Sequence, residues 1–149
     1  MPIALQTGTV SGTITLTFTL SAGGVNLPGF QSTITIPRSS PVIQSVKLVR
    51  TSAGLEVHVV GFSPSRDLTE ADLTFTAAPG ATLQTTTVTE NLASVATTWF
   101  KSAGSTQYGS QLMLVLPFTA SQGSVDNVGS VAVVLKNAKG SSQSASGTF

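Results

Sequence analysis

From Gly12 to Leu20 the chain reads Gly-Thr-Ile-Thr-Leu-Thr-Phe-Thr-Leu, so that Ile14, Leu16, Phe18 and Leu20 alternate with Thr13, Thr15, Thr17 and Thr19. Period-two alternation places the two sets on opposite faces of a strand with one apolar side. After a Gly-rich loop the pattern returns at Phe30, Ile34 and Ile36, with Thr33 and Thr35 opposite, which predicts one hairpin over residues 8–36. Pro37-Arg38-Ser39-Ser40-Pro41 then breaks the chain. A lone hairpin is marginal in water, so this one is expected to complete a sheet in its own domain, in a neighbouring module or in another copy. Thr13–Leu20 also lacks the Lys, Glu or Pro by which edge strands avoid pairing with strangers.

From Val42 onward, short apolar runs alternate with turn signals every eight to twelve residues or so, the spacing of an all-β sandwich. Val42–Val49 and Leu55–Phe62 are the first two predicted strands, the second with Leu55, Val57 and Val59 on one face and Glu56 and His58 on the other. Asp67-Leu68-Thr69-Glu70 has capping-box spacing and predicts one helical turn. Leu73 and Phe75 begin a third strand, and Leu83–Val88 reads as a polar edge strand. Within Asn91–Gly104, Leu92, Val95, Trp99 and Phe100 recur at helical spacing, which predicts a short helical crossover between two sheets. Gln111–Phe118 is apolar on both faces and is expected to be central; Gly129–Leu135 and Ser144–Phe149 close the pattern. That final pair echoes the N-terminal hairpin. The organisation expected is a hairpin arm and Pro-flanked linker over residues 1–40, followed by a sandwich over 41–149.

Composition narrows the function. Only 9% of the 149 residues are charged, the formal net charge is +1, and Ser and Thr make up roughly 28%. The seven Lys and Arg residues are scattered singly, so no basic patch for nucleic acid is present in the sequence. No apolar run reaches the roughly 18 residues that would span a bilayer. Without Cys there are no disulfides, thiolate metal sites or Cys nucleophiles. The opening Met-Pro-Ile-Ala-Leu-Gln has neither a charged nor an apolar leader region and does not read as a signal peptide. The hydroxyl-rich surface suggests a mature piece of an exported precursor, with an extracellular or cell-surface location expected.

Candidate chemistry is sparse. His58 is the single histidine, without a Gly-x-Ser-x-Gly elbow or a metal-ligand spacing around it, and is expected to be a solvent-facing strand residue beside Glu56. Asp67, Glu70 and Asp72 form the densest carboxylate cluster; Ca²⁺ ligation is weighed against helix capping beside Arg66, and capping is preferred because no Asp-x-Asp-x-Asp-Gly loop accompanies them. No pair of acids suggests glycosidase chemistry, and no Gly-rich loop precedes a helix and Lys to hold phosphate. No enzyme activity and no cofactor or metal are expected. Trp99 and Tyr108 are candidate glycan contacts, although the spacing of Trp99 with Leu92 and Val95 favours a plug at one end of the sandwich.

The Pro-Val-Ile opening after a linker, about seven strands and a terminal hairpin with an Asn/Lys-Gly turn resemble the immunoglobulin-like modules of large secreted bacterial surface proteins, over about residues 41–149. The arm resembles the donor strand of fibre-forming pilins, whose alternating N-terminal residues fill a gap in the next subunit. It departs from them in being a hairpin, and Ser144–Phe149 supplies the last strand that pilins lack. The resemblance implies an immunoglobulin-like β-sandwich with one short helical crossover and an N-terminal β-hairpin arm, whose partners are other copies or neighbouring modules. Ile14, Leu16, Phe18, Leu20, Phe30, Ile34 and Ile36 would make the donated surface of a structural fibre subunit or stalk. The alternative is a carbohydrate-binding accessory module.

Overall fold

The computed structural model describes residues 8–119 and 124–149. Its strands are β1 (Gly12–Ala22), β2 (Val25–Ile36), β3 (Val42–Thr51), β4 (Gly54–Phe62), β5 (Glu70–Ala77), β6 (Thr87–Asn91), β7 (Gln111–Thr119), β8 (Val128–Asn137), β9 (Gly140–Ser141) and β10 (Ala145–Gly147). Helix α1 (Ala93–Lys101) links β6 to β7, followed by a 3₁₀ turn at Gly104–Tyr108. The chain is thus mostly β with one helix. No helix among the described residues is long and apolar enough to cross a membrane.

Two antiparallel sheets, ordered β3-β4-β7 and β10-β8-β5-β6, share one apolar core in a sandwich-like arrangement. The first contributes Leu48, Val57, Val59, Leu112 and Leu114, and the second Leu73, Phe75, Val131, Val133 and Leu135. Along one seam the sheets meet where the Leu48 N–H donates to the Thr148 carbonyl at 3.0 Å. On the opposite side β6 and β7 are edge strands, bridged at one end by α1.

β1 and β2 stand outside this core as a separate two-stranded sheet. Gly23 and Gly24, with φ of 59° and 80°, form the two-residue turn that only left-handed backbone permits without splaying the strands. The predicted Gly-rich loop is therefore far shorter than expected, and β2 begins at Val25 rather than near Phe30. A bulge between Phe18 and Leu20 accommodates the extra residue; there a Cβ on Gly29 would lie 2.6 Å from the Phe18 carbonyl oxygen.

Four expectations need correction. Gln111–Phe118 is not central: β7 pairs with β4 alone, and its outward residues Met113 and Val115 are exposed. Its second apolar face is a surface patch, which periodicity cannot distinguish from a buried face. The polar edge strand lies at Thr87–Asn91, about one turn later than Leu83–Val88, because pairing with Glu70–Thr74 sets its register. Asp67-Leu68-Thr69-Glu70 forms no helical turn; Glu70 starts β5 opposite Lys136. From the N-cap of α1 onward the buried stripe is Leu92, Ala96 and Phe100 at i, i+4, i+8, so Phe100 rather than Trp99 is the plug, and Val95 is exposed.

The relocated Glu70 and Asp72 share one cation. Lys136 Nζ lies 2.7 Å from Asp72 Oδ2 and 3.2 Å from Glu70 Oε2. The hydrogen bond from Lys136, then that from Thr89, holds the Asp72 carboxyl below its ordinary 3.8, and Asp72, then Glu70, holds the Lys136 ammonium above 10.5. A lowered acid pKa stabilises above the unfolded value and is lost as pH falls through the folded one; a raised amine pKa stabilises below its unfolded value and is lost as pH rises through the folded one. The melting-temperature gap between the parent and Asp72→Asn should therefore be level between these limits and close towards both extremes. A gap unchanged at pH 2 would show that this ion pair is not its source.

Candidate functional site

The arm carries an apolar face on a two-stranded sheet that pairs with no other strand among the described residues. Backbone register sets Ile14 opposite Ile34, Leu16 opposite Ser32, Phe18 opposite Phe30 and Gly12 opposite Ile36, so these residues share one face. Thr13, Thr15 and Thr17, opposite Thr35, Thr33 and Gln31, make the other. The Phe18 and Phe30 rings stack at 4.6 Å with 14° between planes. Ile14, Leu16, Phe18, Ile34 and Ile36 are half-buried, whereas Leu20 is 62% and Phe30 66% exposed. All seven predicted donor residues thus lie on one hairpin, and none belongs to the sandwich core. Val25, 62% exposed across the turn, extends the apolar surface to the tip; its place beside the Gly-rich stretch, which predicts loop, hides it in the sequence.

The hairpin is mounted at its base by polar contacts. On the incoming side, the Ser11 N–H and Oγ both donate to the Pro64 carbonyl, at 2.7 and 2.8 Å, and Ser110 Oγ meets Thr9 Oγ1. On the outgoing side, Asn137 Nδ2 lies 2.9 Å from the Ser39 carbonyl, 3.0 Å from Ser65 Oγ and 3.2 Å from Ser63 Oγ, and Pro41, two residues after Ser39, is buried. Asn137 is buried at the end of β8, and it ties linker, β4–β5 loop and sandwich together. Read as a turn residue in Lys136-Asn137-Ala138-Lys139-Gly140, it carries no sequence signal of this role. The mount lies at the pole where β4 and β8 end and β7 begins.

The remaining candidates are dispersed. Trp99 and Tyr108 do come together, 6.1 Å apart with 30° between planes, Tyr108 being 54% exposed. Trp99 is half-buried, and its indole N–H donates to the Gln111 carbonyl at 3.1 Å. His58 Nε2 lies 2.7 Å from Glu56 Oε2, both half-buried on the outer face of β4. Asp67 accepts from Ser65 and stands apart from the Lys136 pair. Among the described residues no three metal-ligating side chains converge.

Compared with family models, with curated proteins and with solved structures, the chain finds no match.

Proposed function

We propose that this protein is a non-enzymatic structural module that associates with copies of itself by β-strand complementation, the arm being the donated element of a fibre subunit or surface stalk outside the cell. The observation that carries this reading is the apolar face of β1 and β2, ending in the exposed Phe30, on a hairpin that pairs with no other strand among the described residues. Two-stranded hairpins gain independent stability by adding strands or packing a face. Six of the thirteen charged side chains are held in ion contacts (Arg50 with Asp126, Lys136 with both Glu70 and Asp72, Glu56 with His58), which favours a structural over a catalytic use of them. The hydroxyl-rich, charge-poor surface favours an exported protein.

An immunoglobulin-like sandwich is supported by strand order. Counting β3, β4, β5, β6, β7, β8 and β10 as first to seventh, the first, second and fifth face the third, sixth and seventh, with the fourth beside the third. The constant-type immunoglobulin arrangement differs only in which sheet carries the fourth strand.

Removing residues 1–38 tests the function. Every core residue lies beyond Val42, so the remainder should melt cooperatively and scatter as a monomer where the full chain forms oligomers or filaments. Polymerisation of the shortened chain would rule the arm out as donor, and a monomeric full chain would rule out the self-association itself. The second reading, a glycan-binding accessory module, is favoured by the exposed Tyr108 ring near-parallel to Trp99. It is the weaker one, since Trp99 is half-buried and its N–H is engaged.

A further inference from the structure

Where on a neighbour the arm would dock is a separate question, and its answer rests on the self-association reading. Exposure on the arm rises towards its tip: among the described side chains, Leu20, Val25 and Phe30 are its most exposed large apolar residues, all in the distal half. A receiving surface must therefore cover the tip and not only the base.

The sandwich offers three apolar surfaces. The first is the free edge of β7. Because the Ser63 N–H bonds the Ser110 carbonyl, the even residues of β7 face β4 and the odd ones face outward. Of the outward groups, the Gln111 carbonyl is taken by Trp99 and Pro117 has no N–H, so an incoming strand finds only the short window Met113–Val115. The second is the outer patch of Val60, Met113 and Val115, which adjoins Lys47, Glu56 and His58; covering it would strip water from charged groups. The third is a cleft of about 570 Å³ at the opposite pole from the mount, lined by Leu55, Phe75, Leu83, Val88, Phe118 and Val125 with intervening Thr, Ser, Gln and Asn.

The cleft and the arm match in chemistry. No charged residue lines the described cleft, and none occurs in residues 8–36; the charged residues next to its lining, Arg50 opposite Leu55 and Asp126 beside Val125, already neutralise each other at 3.2 Å, so docking leaves no lone ion without water. Area points the same way. A strand pair of this length presents a face of roughly 36 by 10 Å. Covering it removes on the order of 700 Å² from two partners together, short of the about 1,000 Å² of a specific interface. Seating the tip in a concavity adds area from its second face.

We propose that the occupant of this cleft is the hairpin tip of a second copy, with Leu20 and Val25 entering between Leu83 and Phe118. Mount and cleft lie at opposite ends of β4, about 30 Å apart, so the contact is head-to-tail. Such a heterologous contact grows into a polar filament unless its rotation closes a ring.

The absence of Cys makes the test direct, since any introduced thiol is the only one on its chain. Full-length Val25→Cys and Gln84→Cys are mixed and oxidised, and the intermolecular disulfide is mapped by mass spectrometry. The expected product is the 25–84 heterodimer, in excess over both homodimers, and Leu83→Asp should abolish association with the near-ultraviolet circular dichroism unchanged. Predominance of the 25–25 product would mean a symmetric arm-to-arm contact, overturning the cleft assignment while the self-association reading stands. In a third, doubly substituted chain, Val25→Cys with Gln84→Cys, a 25–84 disulfide formed at monomeric mass would overturn both. Association that survives Leu83→Asp would overturn the cleft alone.

Discussion

Replacing Phe30 by Asp is expected to abolish assembly of the full chain while leaving its melting temperature within about 2 °C of the parent. The two halves of that outcome have separate causes. Phe30 is 66% exposed and stacks on Phe18, and neither ring belongs to the core that the sandwich folds around. An exposed site away from the core changes stability by about 0.5 kcal/mol or less. In an assembled state the same carboxylate would be enclosed by apolar surface with no counter-ion, since the arm carries no charge of its own. A cost of roughly 3 kcal/mol or more is usual for an unpaired polar group so placed, and that is about a hundredfold or more in dissociation constant. Sedimentation velocity on matched concentrations reads the effect. An unchanged mass distribution would show that the stacked phenylalanines lie outside the contact, and a melting temperature many degrees lower would show that the arm packs on the sandwich after all.

What could be read from sequence, and what could not, divides along a physical line. The alternation from Thr13 to Leu20 specifies a strand and its apolar face because side chains on extended backbone alternate whatever the strand is next to. The stripe on α1 and the position of β7 depend instead on neighbours. Trp99 and Phe100 are adjacent in sequence, and only the placement of Leu92 and Ala96 against the core decides that Phe100 turns inward. Gln111–Phe118 is equally apolar on an edge or in the centre; what marks the edge is Pro117, whose missing N–H fits a residue facing away from β4. Asn137 shows the opposite case. Its contacts to Ser39, Ser63 and Ser65 span 98, 74 and 72 residues, so no local pattern could reveal the mount. The cleft is of the same kind, since its walls come from β4, β5, β7, β6 with the segment before it, and the turn leading into β8, and only the fold brings them together.

Gly147→Val is expected to lower the melting temperature by about 6–12 °C, the equivalent of roughly 3 kcal/mol of overpacking in a chain of this size. Gly147 sits on β10 where a Cβ would come within 2.5 Å of the Val46 carbonyl oxygen and 2.6 Å of its carbon. Both are backbone atoms and cannot swing aside, so β10 must move. Its displacement would break the bond from the Leu48 N–H to Thr148 and part the seam between β3 and β8. Accelerated exchange of the Leu48 amide, followed by nuclear magnetic resonance, is the local reporter; slow exchange at that amide with an unchanged melt would mean the seam holds without β10. The consequence reaches the arm. With β10 seated, the sandwich already possesses its final strand, and its own arm has no vacancy to fill at that seam. Unseating β10 creates one, flanked by Leu48 and Val133, which are fully covered in the parent. If the arm acts by strand complementation, the variant should melt earlier yet assemble more readily than the parent, because a second acceptor edge has opened. Earlier melting with weaker assembly would instead tie the docking surface to an intact seam.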